Sequence, residues 1–131
     1  MKRYKFLFIT IILFLILLFV NLSVKVNGFK LKIINETNVI IEELKFEFKN
    51  EEKIIDIPKI SSKEIIDLFI ETNDISTETI LSLVYFDKNG QKMYKTVVPY
   101  LEKGNSGKGT IKIISKDELG HIEFDVKFKY L

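Results

Sequence analysis

Two hydrophobic patterns divide the chain. From Phe6 to Val20 every residue is apolar except Thr10. A helix in a soluble core needs a polar face, and this segment has none. Extended to Val24 it covers 19 residues, which at ~1.5 Å per residue reach about 28 Å, close to the hydrocarbon thickness of a bilayer. After residue 24 the period changes to two. Ile122, Phe124, Val126, Phe128 and Tyr130 alternate with Glu123, Asp125, Lys127 and Lys129. Leu44, Phe46 and Phe48 alternate with Lys45, Glu47 and Lys49 in the same way. A period of two in β-branched and aromatic residues predicts half-buried strands.

Turn signals separate the apolar runs. They predict strands over residues 30–35, 39–49, 53–57, 64–71, 79–86, 93–101, 110–115 and 121–130. The expected fold class is all-β: an immunoglobulin-like antiparallel β-sandwich of about 7–8 strands, preceded by one N-terminal transmembrane helix. Residues 1–24 form the anchor, 25–30 a short linker and 31–131 the sandwich. Asn89-Gly90 predicts a two-residue hairpin loop joining 79–88 to 91–101. The preferred register sets Tyr85 opposite Tyr94 and Leu83 opposite Thr96; a longer loop pairs Tyr85 with Met93 instead. In Ile65–Ile70, Ile66, Leu68 and Ile70 share one face, while Ile65 and Phe69 lie on the other beside Asp67. A strand apolar on both sides is either covered or presents a patch. Burial is expected; if exposed, Ile65 and Phe69 are the first choice for a partner surface.

The charges sharpen this division. The first 24 residues carry Lys2, Arg3 and Lys5 and no acid, which favours a cytoplasmic N-terminus and a C-terminal domain outside. The expected location is the plasma membrane, single-pass. A signal peptide is the competing reading: Asn21-Leu22-Ser23 fits a cleavage site poorly and Val26-Asn27-Gly28 better, so cleavage near Gly28 would give a secreted protein. The whole chain has 20 basic and 18 acidic residues. Residues 25–131 hold 17 and 18 of them, a net charge of −1. No basic run of the kind nucleic-acid binding needs is present. Without cysteine there is no disulfide framework, and ~107 residues must rely on core packing.

Candidate chemistry is sparse. Gly104-Asn-Ser-Gly-Lys-Gly-Thr110 suggests a phosphate loop, but the pattern G-x-x-x-x-G-K-[ST] needs glycine where Glu102 stands and a hydroxyl where Gly109 stands. The alternating residues that follow predict a strand, so no helix N-terminus would face a phosphate. The stretch reads as a flexible hairpin loop whose glycines supply positive φ. His121, the single histidine, lies at a turn–strand junction with no recognisable acid–base partner, and with no cysteine it cannot build a zinc site. Asp87-Lys-Asn-Gly90 begins like a calcium loop but lacks the later ligands. Ser61, Ser62 and Ser106 have no positioned base. No catalytic, metal or cofactor residues are assigned, no cofactor is implied, and neither nucleotide nor nucleic acid is an expected ligand. The alternating charges on 44–49 and 122–130 read as a solvated outer face.

The order I-I-N-E-T-N-V-I-I-E-E-L-K-F-E-F, I-P-K-I, S-L-V-Y-F-D-K-N-G, P-Y-L-E-K-G-N-S-G-K-G-T-I-K-I resembles small single-anchor or secreted β-sandwich proteins of low-GC Gram-positive bacteria. The resemblance covers most of residues 31–115 and implies a fold and a location but no activity. The leading expectation is a non-enzymatic, membrane-anchored, extracytoplasmic interaction module that binds an envelope or exported protein, with an immunity-type protein against a secreted toxin as one form. It would touch lipid through residues 6–24. A carbohydrate- or wall-polymer-binding module is the alternative, with Tyr85, Tyr94 and Tyr100 as its aromatic contacts.

Overall fold

The structure, a computed structural model, describes residues 2–22 and 26–131. Met1, Ser23, Val24 and Lys25, which fall in the expected anchor, linker and first cleavage site, lie outside the described residues. Lys2–Leu22 form the helix α1. None of its apolar stretch from Lys2 to Val20 is buried against the rest of the chain. The Thr10 hydroxyl donates to the Phe6 carbonyl at 2.9 Å, so it needs no water partner.

Eight strands follow among the described residues: β1 (Gly28–Asn35), β2 (Lys45–Phe48), β3 (Ile54–Asp56), β4 (Ile65–Glu71), β5 (Thr79–Phe86), β6 (Lys92–Leu101), β7 (Gly107–Lys116) and β8 (Ile122–Tyr130). Each predicted run overlaps one of them, but three differ by more than one residue, among them β7, which starts at Gly107 and not at 110. The run 39–49 shrinks to β2 because Glu43 adopts φ +60°, a left-handed conformation that interrupts extended backbone. Ahead of it Ile41 makes only an isolated bridge to Ile60. At the other boundary, Gly28–Lys30, expected as linker, already belong to β1.

The strands form two four-stranded sheets, a first ordered β4-β1-β7-β8 and a second ordered β3-β2-β5-β6. The first is mixed: β1 runs antiparallel to β4 but parallel to β7, with Phe29 beside Gly107 and Ile33 beside Ile111. This corrects the expectation of an antiparallel fold. Parallel neighbours need a long crossover, and residues 36–106 supply one that includes the whole second sheet.

The two inner faces meet in one core. Phe29, Leu31, Ile33, Ile111 and Ile113 face Phe46, Phe48, Leu81, Leu83 and Val98, all fully or almost fully buried. Each such side chain contributes roughly 1.5–3 kcal/mol of burial. Tyr85 is buried with them, and its hydroxyl accepts from the Ile122 N–H at 2.9 Å. That bond ties the second sheet to β8 of the first. At the opposite end of β8 the Tyr130 hydroxyl donates to the Tyr100 carbonyl on β6.

The β5–β6 hairpin corrects the preferred register. Tyr85 stands opposite Met93, Val84 opposite Tyr94 and Ser82 opposite Thr96. Asp87 is the cause. Its N–H donates to the Gln91 carbonyl at 3.0 Å, and its Oδ1 accepts from the Asn89 and Gln91 N–H groups at 2.9 Å each. The side chain thereby closes a three-residue loop, in which Gly90 takes φ +77° and Asn89 is not left-handed.

Candidate functional site

The end of the sandwich remote from residue 26 is built from two copies of one turn. Asp117-Glu-Leu-Gly-His121 repeats the geometry of Asp87-Lys-Asn-Gly-Gln91. The Asp117 N–H donates to the His121 carbonyl, Asp117 Oδ1 accepts from Leu119 and His121, and Gly120 takes φ +83°. The two turns are joined by a bond from the Lys88 N–H to the Leu119 carbonyl at 2.9 Å. His121 lies between them. Its Nε2 is 3.1 Å from Asp87 Oδ2 and its Nδ1 is 3.5 Å from Asp117 Oδ2. The expectation that His121 has no acid–base partner is therefore corrected: the repeated turn brings in a carboxylate 34 residues away in sequence.

With Asp87 on one ring nitrogen and Asp117 near the other, the histidine acts as a clasp between hairpins. Asp87, almost wholly buried, is held below the usual carboxylate range, first by the Gln91 N–H and then by His121 and the Asn89 N–H. A depressed pKa means that the stabilisation is present above the unfolded-state value and is lost as pH falls through the folded-state value. Urea melts between pH ~6 and ~2 are expected to show this acid-side loss, and Asp87→Asn should flatten that part of the profile. An unchanged profile in the variant would remove Asp87 as its source.

The predicted contact residues are not brought together. Tyr85 is in the core, which corrects its assignment as a contact: the residue faces the first sheet and its hydroxyl is used by Ile122. Tyr94 is 74% exposed on the outer face of the second sheet. Tyr100 lies near the other end of β6, six residues on and past a bulge, or roughly 20 Å along a strand. Its hydroxyl donates to the Glu102 carboxylate, which pushes the tyrosine pKa up to about 12. Three separated tyrosines form no single stacking platform. Ile65 and Phe69, expected to be buried, are 54% and 48% exposed. The second sheet covers only the inner face of the first, so of β4 only Ile66, Leu68 and Ile70 pack on the core.

The outer face of the first sheet gathers charges scattered along the sequence. One cross-strand row reads Phe69, Lys30, Lys108, Lys129, and the next reads Asp67, Lys32, Thr110, Lys127. A third brings Ile65, Ile34, Lys112 and Asp125 together. With Glu71 and Glu123, which share this parity at the ends of β4 and β8, six lysines and four carboxylates give the face +2. The remaining charges of residues 25–131, eleven lysines and fourteen carboxylates, leave −3 elsewhere. Lys112 lies 3.8 Å from Glu36. Among the described residues Lys30, Lys32, Lys108, Lys127 and Lys129 make no ion pair. The second sheet's outer face differs: Lys92 pairs with Glu47 at 2.7 Å and Lys45 with Asp56 at 3.6 Å. The solvated outer face read from the sequence thus consists of two unlike surfaces. The signal that could have found the basic one is the parity of the lysines, all placed opposite core residues in three strands of one sheet.

No protein-family model matches the chain, and no curated protein matches it. One solved structure is similar, described as the NMR structure of the protein from Eubacterium rectale. It is 16% identical, covers 76% of this chain and 88% of its own, and superposes with a TM-score of 0.45. At that level it informs neither site nor function.

Proposed function

We propose that the chain is a single-pass, membrane-anchored protein whose β-sandwich acts outside the cell as a protein-interaction module. Support for the anchor comes from α1, which is apolar from Phe6 to Val20 apart from Thr10 and begins with Lys2, Arg3 and Lys5 and no acid. The immunoglobulin-like assignment belongs to this proposal and rests on two packed layers of four short strands. Its departures are the parallel β1–β7 pair and the interior place of β1, since the first strand of an immunoglobulin domain lies at a sheet edge.

One observation carries the interaction reading. The outer face of the second sheet sets exposed apolar side chains beside paired charges. Tyr94, Phe86 and Ile54 are exposed there, and Tyr94 lines a shallow groove with Ile80, Val84, Glu47, Lys49 and Lys92. Lys92 and Glu47 pair across β5 within that groove, and Lys45 pairs with Asp56 beside it. Exposed aromatic side chains next to charges that are already paired suit a protein-binding patch. The partner is an envelope or exported protein, with a secreted toxin as the immunity-type case.

A photo-crosslinking residue at position 94 of the full chain, displayed on cells, should capture one discrete partner, whereas the same residue at Lys116 should not. Tyr94→Ala should then weaken binding of that partner by about 2 kcal/mol, roughly 30-fold. Equal capture at both positions, or unchanged affinity in the variant, rejects this face as the binding surface.

A further inference from the structure

We infer that the outer face of the first sheet rests on anionic lipid headgroups of the membrane that α1 enters. The inference depends on the anchoring proposed above and goes beyond the partner-binding face, which lies on the other sheet.

The charge arrangement is the starting point. Lys30, Lys108 and Lys129 stand side by side across three strands, with neighbouring strands ~4.8 Å apart. Like charges directly opposite one another oppose folding. On the second sheet Lys45 and Lys92 are paired with carboxylates, whereas on this face Asp67, Glu71, Glu123 and Asp125 make no ion pair with the lysines among the described residues. An external anionic surface supplies the missing counter-charge. The array is also two-dimensional, three strands wide and two rows deep in unpaired lysines, which matches a plane of headgroups better than a single extended strand of polymer.

Position strengthens the match. Lys30 follows Leu22 by eight residues, so it lies within about 28 Å of the helix end even on a fully extended chain. Lysine attraction to anionic lipid acts over roughly 10 Å, a range this tether allows. The same end of the domain exposes Val26, Phe69, Tyr130 and Leu131. Gly28, Lys30, Phe69, Lys108, Tyr130 and Leu131 line one open cleft. Aromatic and aliphatic side chains beside lysines suit the boundary between headgroups and acyl chains. Docked in this way, the domain would lie on its side and turn the Tyr94 face away from the membrane.

The test uses the full chain reconstituted into vesicles of phosphatidylcholine alone and of phosphatidylcholine mixed with phosphatidylglycerol. A water-soluble amine-acylating reagent is added, and each lysine's rate is read by mass spectrometry. Lys30, Lys32, Lys108, Lys127 and Lys129 should react roughly tenfold more slowly in the mixed vesicles. Lys45 and Lys92 should not change, and high salt should abolish the difference. The variant K30Q/K108Q/K129Q, which relieves repulsion and so should fold, should lose the protection at Lys32 and Lys127.

Equal rates in the two vesicle types overturn the inference, as does protection that survives in the triple variant. Soluble polyphosphate added to the neutral vesicles is the remaining arm. Protection by polyphosphate but not by phosphatidylglycerol overturns the lipid assignment in favour of a linear polyanion. Flotation with neutral vesicles after a high-salt wash reads the anchor separately. A chain that fails to float overturns the anchoring and the inference with it; a chain that floats unprotected overturns the inference alone.

Discussion

Replacing Asn35 by alanine should cost the fold about 3 kcal/mol, because one fully buried side chain joins three segments. Its amide nitrogen donates to the carbonyls of Val39, Ile60 and Ser61 at 2.8, 3.1 and 3.0 Å. Its carbonyl oxygen accepts from the N–H and the hydroxyl of Thr37 at 3.0 and 2.6 Å. Two carbonyls keep a second partner, the Ile41 N–H for Ile60 and the Glu64 N–H for Ser61, and the Thr37 hydroxyl, released from Asn35, can turn its one proton to the Val39 carbonyl 3.1 Å away. The loss therefore falls on the Thr37 N–H, left without its acceptor, on the severed link between loops and on the space vacated.

Asn35→Asp separates this account from simple loss of packing. It keeps the acceptor for Thr37 but turns a second oxygen toward three carbonyls, with no cation beside it. At neutral pH it should destabilise by more than the alanine variant, about 4 kcal/mol or more. Burial without a partner raises the introduced carboxyl's pKa. Its destabilisation should therefore grow as pH rises from the unfolded-state value, about 4, through the folded-state value. Urea unfolding of the full chain in detergent micelles at pH ~4 and ~7 measures both effects. An aspartate variant as stable as the alanine one at pH ~7 would show that the amide donor is not what holds these loops.

Strands are legible in the sequence because they depend on a local period. Ile122–Tyr130 and Lys45–Phe48 alternate, and the fold turns their apolar sides inward as that pattern requires. Pairing is not legible. Nothing near Phe29 or Gly107 signals that they sit side by side in parallel strands, since that depends on where a crossover of the whole second sheet returns the chain. The lysine face is hidden for the same reason: Lys30, Lys108 and Lys129 are isolated in sequence and become a row only through register. Asn35 is hidden by its type. Asparagine among Glu36, Thr37 and Asn38 marks a surface loop, and only the folded chain places its amide over three buried carbonyls. The two Asp-x-x-Gly turns are partly visible. Asn89-Gly90 suggests a tight two-residue loop, while Asp87, which selects the looser one, resembles only the start of a failed calcium motif. The matching Asp117-x-x-Gly120 is the sequence signal that twins the two turns and so directs His121 toward Asp87.

Gly107→Ala should destabilise the fold by about 3 kcal/mol or more, the second large effect and the less obvious one. In sequence the stretch Gly104–Thr110 reads as a flexible hairpin loop rich in positive φ, and the structure corrects that reading. It crosses from β6 in the second sheet to β7 in the first. Gly104 alone among its glycines is left-handed, at φ +79°, while Gly107 and Gly109 are already strand. Gly107 is glycine for another reason. It lies between Phe29 on β1 and Tyr130 on β8, and those two rings meet edge to face across it, 5.9 Å apart. A Cβ there would stand 2.4 Å from Phe29 Cε1 and 2.5 Å from the Lys129 carbonyl oxygen. Phe29 is fully buried and cannot swing away, so β8 must shift. At Gly104 the nearest atom to an added Cβ is 3.7 Å off, and alanine costs only the left-handed penalty, ~1 kcal/mol. The strand glycine should therefore matter more than the turn glycine, the reverse of what the sequence suggests. Parallel urea melts of the two variants decide it. An equal or greater cost at Gly104 would place the importance of this motif in its turn, and not in the close approach of β1, β7 and β8 that sets Lys30, Lys108 and Lys129 side by side.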